Sequence, residues 1–301
     1  MTNYHNPVLL NDCIEGLNIN PDGIYVDVTY GGGGHSAEIL KKLGTKGRLI
    51  AFDQDADAAQ NLPDDPRFTL VQQNFRYLKN FLKLNKAIPV DGILADLGVS
   101  SHQFDIPERG FSTRFEANLD MRMDLQGKLT AAEILTDYPE RELMLVFRNY
   151  GEVENAPKLA RVIAEGRKEK KINSVFEFKE LIKRCIPRGK ENQYLAQVFQ
   201  ALRIEVNEEL NVLKEFLMQS TEVLKPHGRL VVISYHSLED RLVKNFINKG
   251  KLEGEAEKDF FGNVLKPLDA INRKVIVPGD EELKVNTRAR SARLRIAEKR
   301  V

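Results

Sequence analysis

A run of four glycines, Gly31 to Gly34, lies between a short β-branched apolar stretch and a segment with helical spacing. Glycines at such a turn let the backbone approach a ligand closely, and the following helix offers free N–H groups at its N-terminus. Asp53 stands twenty residues beyond Gly33, directly after the next apolar run. A carboxylate in that place commonly accepts hydrogen bonds from ribose hydroxyls. The spacing therefore predicts a site for an adenosine-type cofactor.

Two further apolar runs end in residues that fit the same site. Asn74 and Phe75 follow one run, and the ring of Phe75 either packs against adenine or belongs to the core. Asp96 ends the other run, shortly before Ser100. Ligands of open parallel sheets bind beyond the carboxyl ends of the strands, so we expect these residues to lie close together. An acid at Asp96 would stand next to the group that the cofactor transfers.

The identity of the cofactor depends on position 36. Ser36 stands where a dinucleotide fingerprint has its third glycine, which disfavours NAD. S-adenosylmethionine fits better, because it has no pyrophosphate and needs donors for its carboxylate and acceptors for its amine. Three functions stay open at this point: an enzyme that uses S-adenosylmethionine, a dehydrogenase that uses a dinucleotide, and a non-enzymatic RNA-binding assembly factor. Asp53 and Asp96 argue against the last of these.

Other chemistries have weaker support. His35 has no second ligand at metal-binding spacing beside it, so we expect no metal site. His236, Ser237 and Asp240 contain the residue types of a hydrolase triad, but the nucleophile-elbow pattern G-x-S-x-G is absent.

The pattern of elements indicates how these residues are positioned. Apolar runs at 24–30, 48–53, 68–75, 90–98 and 229–237 alternate with helix-like segments, which predicts an α/β fold with a parallel sheet. After Gly98 about a hundred residues carry helical signals, among them two capping boxes, Thr130 with Glu133 and Ser174 with Glu177. This stretch predicts an inserted helical domain. A long amphipathic helix is expected from about Gln193 to Leu224.

Composition excludes several classes of protein. The 301 residues are 42% hydrophobic and 30% charged, and no apolar run is long enough for a membrane span. The formal net charge of +1 excludes a uniformly basic nucleic-acid coat. Cys13 and Cys185 are the only cysteines, so neither a disulfide framework nor a thiolate zinc site is available. The N-terminal residues lack the features of a secretory signal, and we expect a cytoplasmic protein.

One segment is strongly basic. From Lys284 to Val301 the chain has seven Lys or Arg residues against one acid, Glu298, which is typical of a surface that contacts RNA phosphates. The alternative is that this segment forms a helix that packs on the catalytic domain through Leu294 and Ile296.

Several long motifs resemble those of the bacterial ribosomal RNA small subunit methyltransferase H family. They cover almost the whole chain: HNPVLL (5–10), YVDVTYGGGGHS (25–36), GILADLGVSSHQFD (92–105), RGFS (109–112), LDMRMD (119–124), YGE (150–152), ISYHSLEDR (233–241) and NTRARSARLR (286–295). The resemblance implies an enzyme that uses S-adenosylmethionine to methylate the exocyclic N4 of one cytidine, position 1402, in the decoding centre of 16S ribosomal RNA. It also implies a discontinuous Rossmann-like catalytic domain (1–105 and 205–301) and an inserted helical domain that recognises RNA (106–204).

The resemblance also implies functional residues. The cofactor contacts would be Gly33, Gly34, His35, Asp53, Phe75, Asp96 and Gln103. The chain departs from the family pattern at Gly32, at Tyr235, where phenylalanine is usual, and in the loop 112–118. The Tyr235 substitution keeps the ring and adds a hydroxyl.

The predicted reaction sets requirements on the substrate site. The amino group of cytosine is a poor nucleophile, so the protein must orient it and accept its N–H hydrogen bonds. Candidate groups for this task are Asp96, Ser100 and Ser101. The target base must also leave its stack, which favours a loop or junction in the RNA. Phe111 is a candidate to stack on this base, and the other residues expected to contact RNA are Arg109, Arg122, Asp124, His236, Arg288 and Arg290.

Overall fold

In the part of the chain that the structure describes, seven strands form one mixed sheet, which lies in the first of two units. The computed structural model describes residues 7–301, except for the side chains of Asn61 and Ser101. The first unit comprises the chain up to Gly98 and from Leu210 onward, and the second runs from Val99 to Glu209. The strands are β1 Ile24–Asp27, β2 Arg48–Phe52, β3 Phe68–Val71, β4 Val90–Asp96, β5 Leu224–Ser234, β6 Leu268–Ala270 and β7 Arg293–Lys299.

The strand order is β3-β2-β1-β4-β5-β7-β6. β1 pairs in parallel with both β2 and β4, so that Val26 lies between Ile50 and Ile93. β3 extends the parallel sheet on one side and β5 on the other, whereas β7 is antiparallel to both β5 and β6. The strand order therefore reverses between β1 and β4. Such a reversal opens a crevice at the carboxyl ends of the strands, where doubly wound folds bind ligands.

Both faces of the sheet are covered, as a parallel sheet requires. Neighbouring residues of β1 point to opposite faces, and Tyr25 belongs to one buried cluster while Val26 belongs to another. The other strands and several helices of this unit complete the two clusters, and these helices are α1 Leu10–Leu17, α2 Gly34–Lys42, α3 Leu78–Leu84, α10 Glu209–Val223 and α11 Ser237–Lys249. A further short helix, α12, spans Asp280–Val285. The prediction of an α/β Rossmann-like fold is confirmed.

The second unit is helical and has its own buried core. Its helices are α4 Ser101–Asp105, α5 Ala131–Asp137, α6 Glu140–Gly151, α7 Ala156–Glu169, α8 Val175–Ile182 and α9 Glu191–Val206. Thr130 and Ser174 form the expected capping boxes at the starts of α5 and α8. The boundaries predicted from the sequence, 105/106 and 204/205, both fall inside this unit.

Two predictions about elements were wrong. The expected long helix from Gln193 to Leu224 is two helices, α9 and α10, because Glu208 between them has a φ of +49° that no α-helix continues through. The part of the C-terminal segment that contains Leu294 and Ile296 is strand β7 rather than a helix. Among the described residues, no helix is long and apolar enough to cross a membrane.

Candidate active site

The glycine loop between β1 and α2 depends on the absence of side chains. Gly31 and Gly33 have φ values of +50° and +75°, a region that residues with a Cβ rarely adopt. A Cβ at Gly33 would lie 2.7 Å from Oη of Tyr30, and one at Gly34 would collide with the ring of Pro7. Because the N-cap residue is Gly33, it offers no side-chain acceptor to the first N–H groups of α2. These groups can donate to an anionic part of a ligand.

Asp53 connects the end of β2 to the glycine loop. Its Oδ2 accepts a hydrogen bond from the backbone N of Gly31 at 2.7 Å, and its Oδ1 accepts one from the backbone N of Asp55 at 2.9 Å. Burial raises the pKa of Asp53 to about 6. A carboxylate oxygen can accept more than one hydrogen bond, so both oxygens still have capacity for hydroxyl donors. Asp53 thus lies beside the loop, where an adenosine ribose would need an acceptor.

Asp27, at the end of β1, accepts hydrogen bonds from residues on both sides of the glycine loop. Its side chain is 1% exposed, and burial raises its pKa. Oδ2 accepts a hydrogen bond from Oγ of Ser36 at 2.7 Å, and Oδ1 accepts one from the backbone N of Thr29 at 3.1 Å. The hydroxyl of Thr29 in turn accepts a hydrogen bond from the backbone N of Asp96 at 2.7 Å. Ser36 therefore stabilises a buried acid, a role that glycine at this position could not perform.

Asp96, Tyr235 and His35 meet at the end of β4. Oη of Tyr235 donates a hydrogen bond to Oδ1 of Asp96 at 2.7 Å, and Oδ2 of Asp96 lies 3.8 Å from Nδ1 of His35. Nε2 of His35 is 3.0 Å from the carbonyl oxygen of Val8. Burial raises the pKa of Asp96. The structure thus brings two of the predicted cofactor residues together and adds a tyrosine hydroxyl to them.

Phe75 follows β3 and is partly buried. Its ring packs edge-on against Phe216, with 5.4 Å between the ring centroids. Asn74 caps the short turn that carries it, because Oδ1 accepts a hydrogen bond from the backbone N of Arg76 at 2.9 Å. The ring is thus anchored to the core while part of its surface stays accessible. Contact with adenine stays a prediction.

In the second unit, Ser100 and Gln103 form a capping box at the start of α4. Oγ of Ser100 accepts a hydrogen bond from the backbone N of Gln103, and Oε1 of Gln103 accepts one from the backbone N of Ser100, both at 3.2 Å. Ser100 therefore has a local structural function. The side chain of Ser101 lies outside the described part of the chain, so its predicted role stays a prediction.

Two residues expected to contact RNA are buried inside the second unit. Arg109 is 5% exposed, and its guanidinium donates to the backbone carbonyl oxygens of Arg122 and Met123 at 3.1 and 2.9 Å. Phe111 is also 5% exposed and packs near Phe104 in the core of this unit. Both side chains thus pack within the second unit, and their contact with RNA stays a prediction.

Three other predicted RNA contacts have partners within their own units. Arg122 pairs with Asp120 at 2.7 Å, and this ion pair lowers the pKa of Asp120 despite partial burial. Asp124 is exposed and caps a turn by accepting a hydrogen bond from the backbone N of Gln126 at 2.9 Å. His236 caps α11, and its Nε2 lies 3.2 Å from Oε1 of Glu239.

The basic C-terminal segment divides into two parts. Arg288 and Arg290 lie exposed before β7. Within β7, Arg295 makes two hydrogen bonds to Asp240 at 2.7 and 3.1 Å, and Arg293 makes a third at 3.3 Å. Part of the positive charge is therefore already neutralised inside the protein.

Sequence reasoning missed three residues of this site: Asp27, Thr29 and the hydroxyl of Tyr235. A signal for the first two was present, since Asp27 and Thr29 are the polar residues in the otherwise apolar run IYVDVTY. The contact of Tyr235 depends on the pairing of β4 with β5, which local sequence does not show.

A Rossmann-like sheet with a glycine loop after β1 and acids after β2 and β4 defines a protein that binds a nucleoside cofactor at the switch point. Residues 2–300 match the model of the MraW methylase family, and the chain belongs to this family. Family membership confirms the predicted enzyme class, a methyltransferase that uses S-adenosylmethionine.

Individual relatives are similar to this chain along almost their whole length. A protein of Flavobacterium johnsoniae named ribosomal RNA small subunit methyltransferase H is 60% identical over 296 residues, which cover 98% of both chains. A protein of Parabacteroides distasonis with the same name is 59% identical and covers 98% of this chain and 97% of its own. Among solved structures, an rRNA methylase of Streptococcus thermophilus aligns over 97% of this chain and 94% of its own, with 12% identity and a TM-score of 0.43.

Proposed function

We propose that this chain transfers the methyl group of S-adenosylmethionine to the exocyclic N4 of cytidine 1402 in the decoding centre of 16S ribosomal RNA. The observation that supports an RNA substrate is the 57–60% identity, over nearly the full chain, with proteins named ribosomal RNA small subunit methyltransferase H. The sequence motifs that resemble those of the methyltransferase H family support cytidine 1402 as the target. The small ribosomal subunit or its precursor is the partner.

The geometry of the first unit supports a defined orientation of the cofactor. Asp53 accepts hydrogen bonds from the ribose hydroxyls, because it lies beside the glycine loop and has unused lone pairs. The N–H groups at the start of α2 donate to the methionine carboxylate. Asp96 accepts a hydrogen bond from the methionine amine. Phe75 borders the adenine.

The bound cofactor supplies a methyl group on a positively charged sulfur. The protein has to hold the cytosine amine in line with that methyl group, which provides most of the rate. When the new N–C bond forms, the bond between that carbon and the sulfur would break and leave S-adenosylhomocysteine, and the amine would give up a proton. A nearby acceptor such as Asp96, Ser100 or a backbone carbonyl oxygen would stabilise the charge that develops on the amine. Residues 99–209, the helical unit, contribute RNA contacts through the loop that contains Arg122 and Asp124.

The decisive test is mass spectrometry of small-subunit RNA from cells with and without the gene. We expect one methyl group to disappear from cytidine 1402, and expression of the wild-type chain should restore it. Expression of a chain with Asp53→Ala should not. Loss of a methyl group from another nucleotide, or an unchanged methylation pattern, would contradict the proposed substrate.

The cofactor preference gives a second prediction. S-adenosylhomocysteine should raise the melting temperature, since a ligand at a hundredfold excess over its Kd stabilises the folded state by about 2.7 kcal/mol. NADH at the same concentration should leave it unchanged, because Ser36 occupies the place of the third glycine and bonds to Asp27. Thermal-shift measurements check both. Stabilisation by NADH alone would favour the dehydrogenase.

Arg288 and Arg290 provide a third prediction. They lie exposed just before β7, so replacing both with alanine should weaken RNA binding and leave cofactor affinity unchanged. Each phosphate contact on a single strand contributes about 0.7 to the slope of log affinity against log salt, so the slope should fall by about 1.4. Binding titrations at several salt concentrations measure it.

The matched control removes two charges from the same region. Lys284 pairs with Glu281 at 2.8 Å and Arg300 pairs with Asp269 at 3.0 Å. Neither residue is among the predicted RNA contacts, so replacing these two with alanine should change the slope less. Equal slopes for the two double variants would remove Arg288 and Arg290 from the RNA site.

A further inference from the structure

The ring of Tyr235 has a fixed position directly after β5. β5 pairs with β4 so that Ile233 lies opposite Asp96, two residues before the tyrosine. The backbone N of Tyr235 donates a hydrogen bond to Oε2 of Glu239 at 2.9 Å, and its ring lies alongside Gly98, where a Cβ would be 3.4 Å from Cδ2. Backbone and packing thus hold the ring without help from the hydroxyl. The hydroxyl is therefore available for another purpose, and it donates a hydrogen bond to Oδ1 of Asp96 at 2.7 Å.

The second carboxylate oxygen of Asp96 faces a different group. Oδ2 lies 3.8 Å from Nδ1 of His35, whose Nε2 is 3.0 Å from the carbonyl oxygen of Val8. A carbonyl oxygen only accepts hydrogen bonds, so Nε2 carries a proton. In the neutral ring Nδ1 is then an acceptor. Oδ2 and Nδ1 together form a pair of acceptors suited to a group with several N–H donors, such as an ammonium group.

We propose that the Tyr235 hydroxyl is a positioning group that occupies Oδ1 of Asp96, so that Oδ2, opposite Nδ1 of His35, receives the amino group of the methyl donor. This inference rests on the proposed use of S-adenosylmethionine. Without the hydroxyl, the carboxylate could rotate and offer either oxygen. With it, one oxygen is held by the protein and the other is left for the ligand.

The charges around Asp96 determine how the hydroxyl affects its ionisation. Burial raises the pKa of Asp96, and Asp27 on β1 and Glu239 on α11 raise it further, whereas the hydrogen bond from the Tyr235 hydroxyl lowers it, as does His35 on α2 when its ring carries a charge. Cys13 on α1 is also close enough to interact. Burial and Asp96 raise the pKa of Tyr235, so the hydroxyl keeps its proton and stays a donor. Removing the hydroxyl therefore raises the pKa of Asp96.

Tyr235→Phe tests the proposal, because it removes only the hydroxyl. Calorimetric titration with S-adenosylhomocysteine, which retains the amino group, should show affinity falling as acid protonates Asp96. In the variant this fall should occur at a pH higher by about one unit, which is a tenfold change in the protonation equilibrium. Within that window the variant should bind about tenfold more weakly than the wild type. Profiles that superimpose would overturn the proposal.

Tyr138→Phe is the matched control. Oη of Tyr138 also donates to a carboxylate at 2.7 Å, that of Glu205, but both residues lie in the second unit. This variant should bind with the wild-type pH profile. Melting temperatures of both variants, measured without ligand, report whether either change disturbs the fold.

A second ligand separates positioning from a general structural effect. An analogue of S-adenosylhomocysteine without the amino group should bind equally to the wild type and to Tyr235→Phe, because the hydroxyl acts only through the acceptor of that amine. Equal weakening of both ligands at every pH would assign Tyr235 to packing and overturn the proposal. If the wild type binds neither ligand, the proposed function fails. If it binds S-adenosylhomocysteine and Tyr235→Phe makes no difference, only this inference fails.

Discussion

Replacing Asp53 with alanine should weaken the binding of S-adenosylmethionine about a hundredfold or more, because each hydrogen bond from a ribose hydroxyl to a charged acceptor is worth about 1.5–3 kcal/mol. The variant also loses the bond that Asp53 accepts from the backbone N of Gly31 at 2.7 Å, which holds the glycine loop next to the end of β2. Calorimetric titration measures the loss. An unchanged affinity in a folded variant would remove Asp53 from the site.

Two further variants serve as comparisons for the cofactor affinity of Asp53→Ala. Asp57→Ala changes another carboxylate in the segment after β2, whose Oδ1 accepts a hydrogen bond from Nε2 of Gln60 at 3.0 Å, and this variant should bind the cofactor normally. Asp53→Asn keeps one oxygen acceptor but loses the charge, so its affinity should lie between those of the wild type and Asp53→Ala.

The same carboxylate makes cofactor affinity depend on pH. Burial raises the pKa of Asp53 to about 6, and hydroxyl donors favour the charged form. Below this pH the carboxyl is protonated and must lose a proton before it binds two hydroxyls. Affinity contributed by Asp53 should therefore rise as pH increases toward 6 and level off above it. Asp53→Asn should remove this part of the pH dependence.

Local sequence signals predicted the elements that position the cofactor. An apolar run followed by glycines predicts a strand, a tight turn and a helix in that order, and the structure has them. Asp53 follows at the distance in sequence that one strand-helix-strand unit requires. Thr130 and Ser174 likewise cap their helices as predicted, because a capping box involves only residues three positions apart.

Contacts between distant parts of the chain were not predictable in the same way. Asp96 and Tyr235 are 139 positions apart, and they meet only because β5 pairs with β4. Similarly, the residue types of Arg109 and Phe111 fit RNA recognition, and neither type by itself shows that the side chain is buried. Their burial results from the packing of the helical unit, and the residues next to them in sequence form no pattern that predicts this burial.

The C-terminal segment shows how charge can mask a structural pattern. Leu294 and Ile296 alternate with Arg293 and Arg295, which is the two-residue period of a strand. The density of positive charge instead predicts a surface that contacts RNA phosphates. In the structure the apolar residues are buried and Arg295 is paired with Asp240, so the period was the more informative signal.

A chain that ends before Asn286 should fail to form a stable first unit. The truncation removes β7, which hydrogen-bonds to β5 over the pairs from Arg229 with Glu298 to Ser234 with Arg293, and to β6 on its other side. It also removes Leu294, whose side chain is 0% exposed. Burial of one such side chain contributes about 1.5–3 kcal/mol, and whole domains are stable by only about 5–15 kcal/mol. The truncated chain should therefore show no cooperative unfolding transition for this unit and no binding of S-adenosylhomocysteine.

Leu294→Ala tests the same idea in the full-length chain, because it creates a cavity without removing the strand. The free energy of unfolding should fall by about 2–5 kcal/mol. Arg290→Ala, four residues earlier and exposed, should leave it unchanged while weakening RNA binding. Chemical denaturation followed by circular dichroism measures both. If the truncated chain instead melts like the full-length protein and differs only in a shallower salt dependence of RNA binding, β7 contributes to the substrate site and not to the sheet.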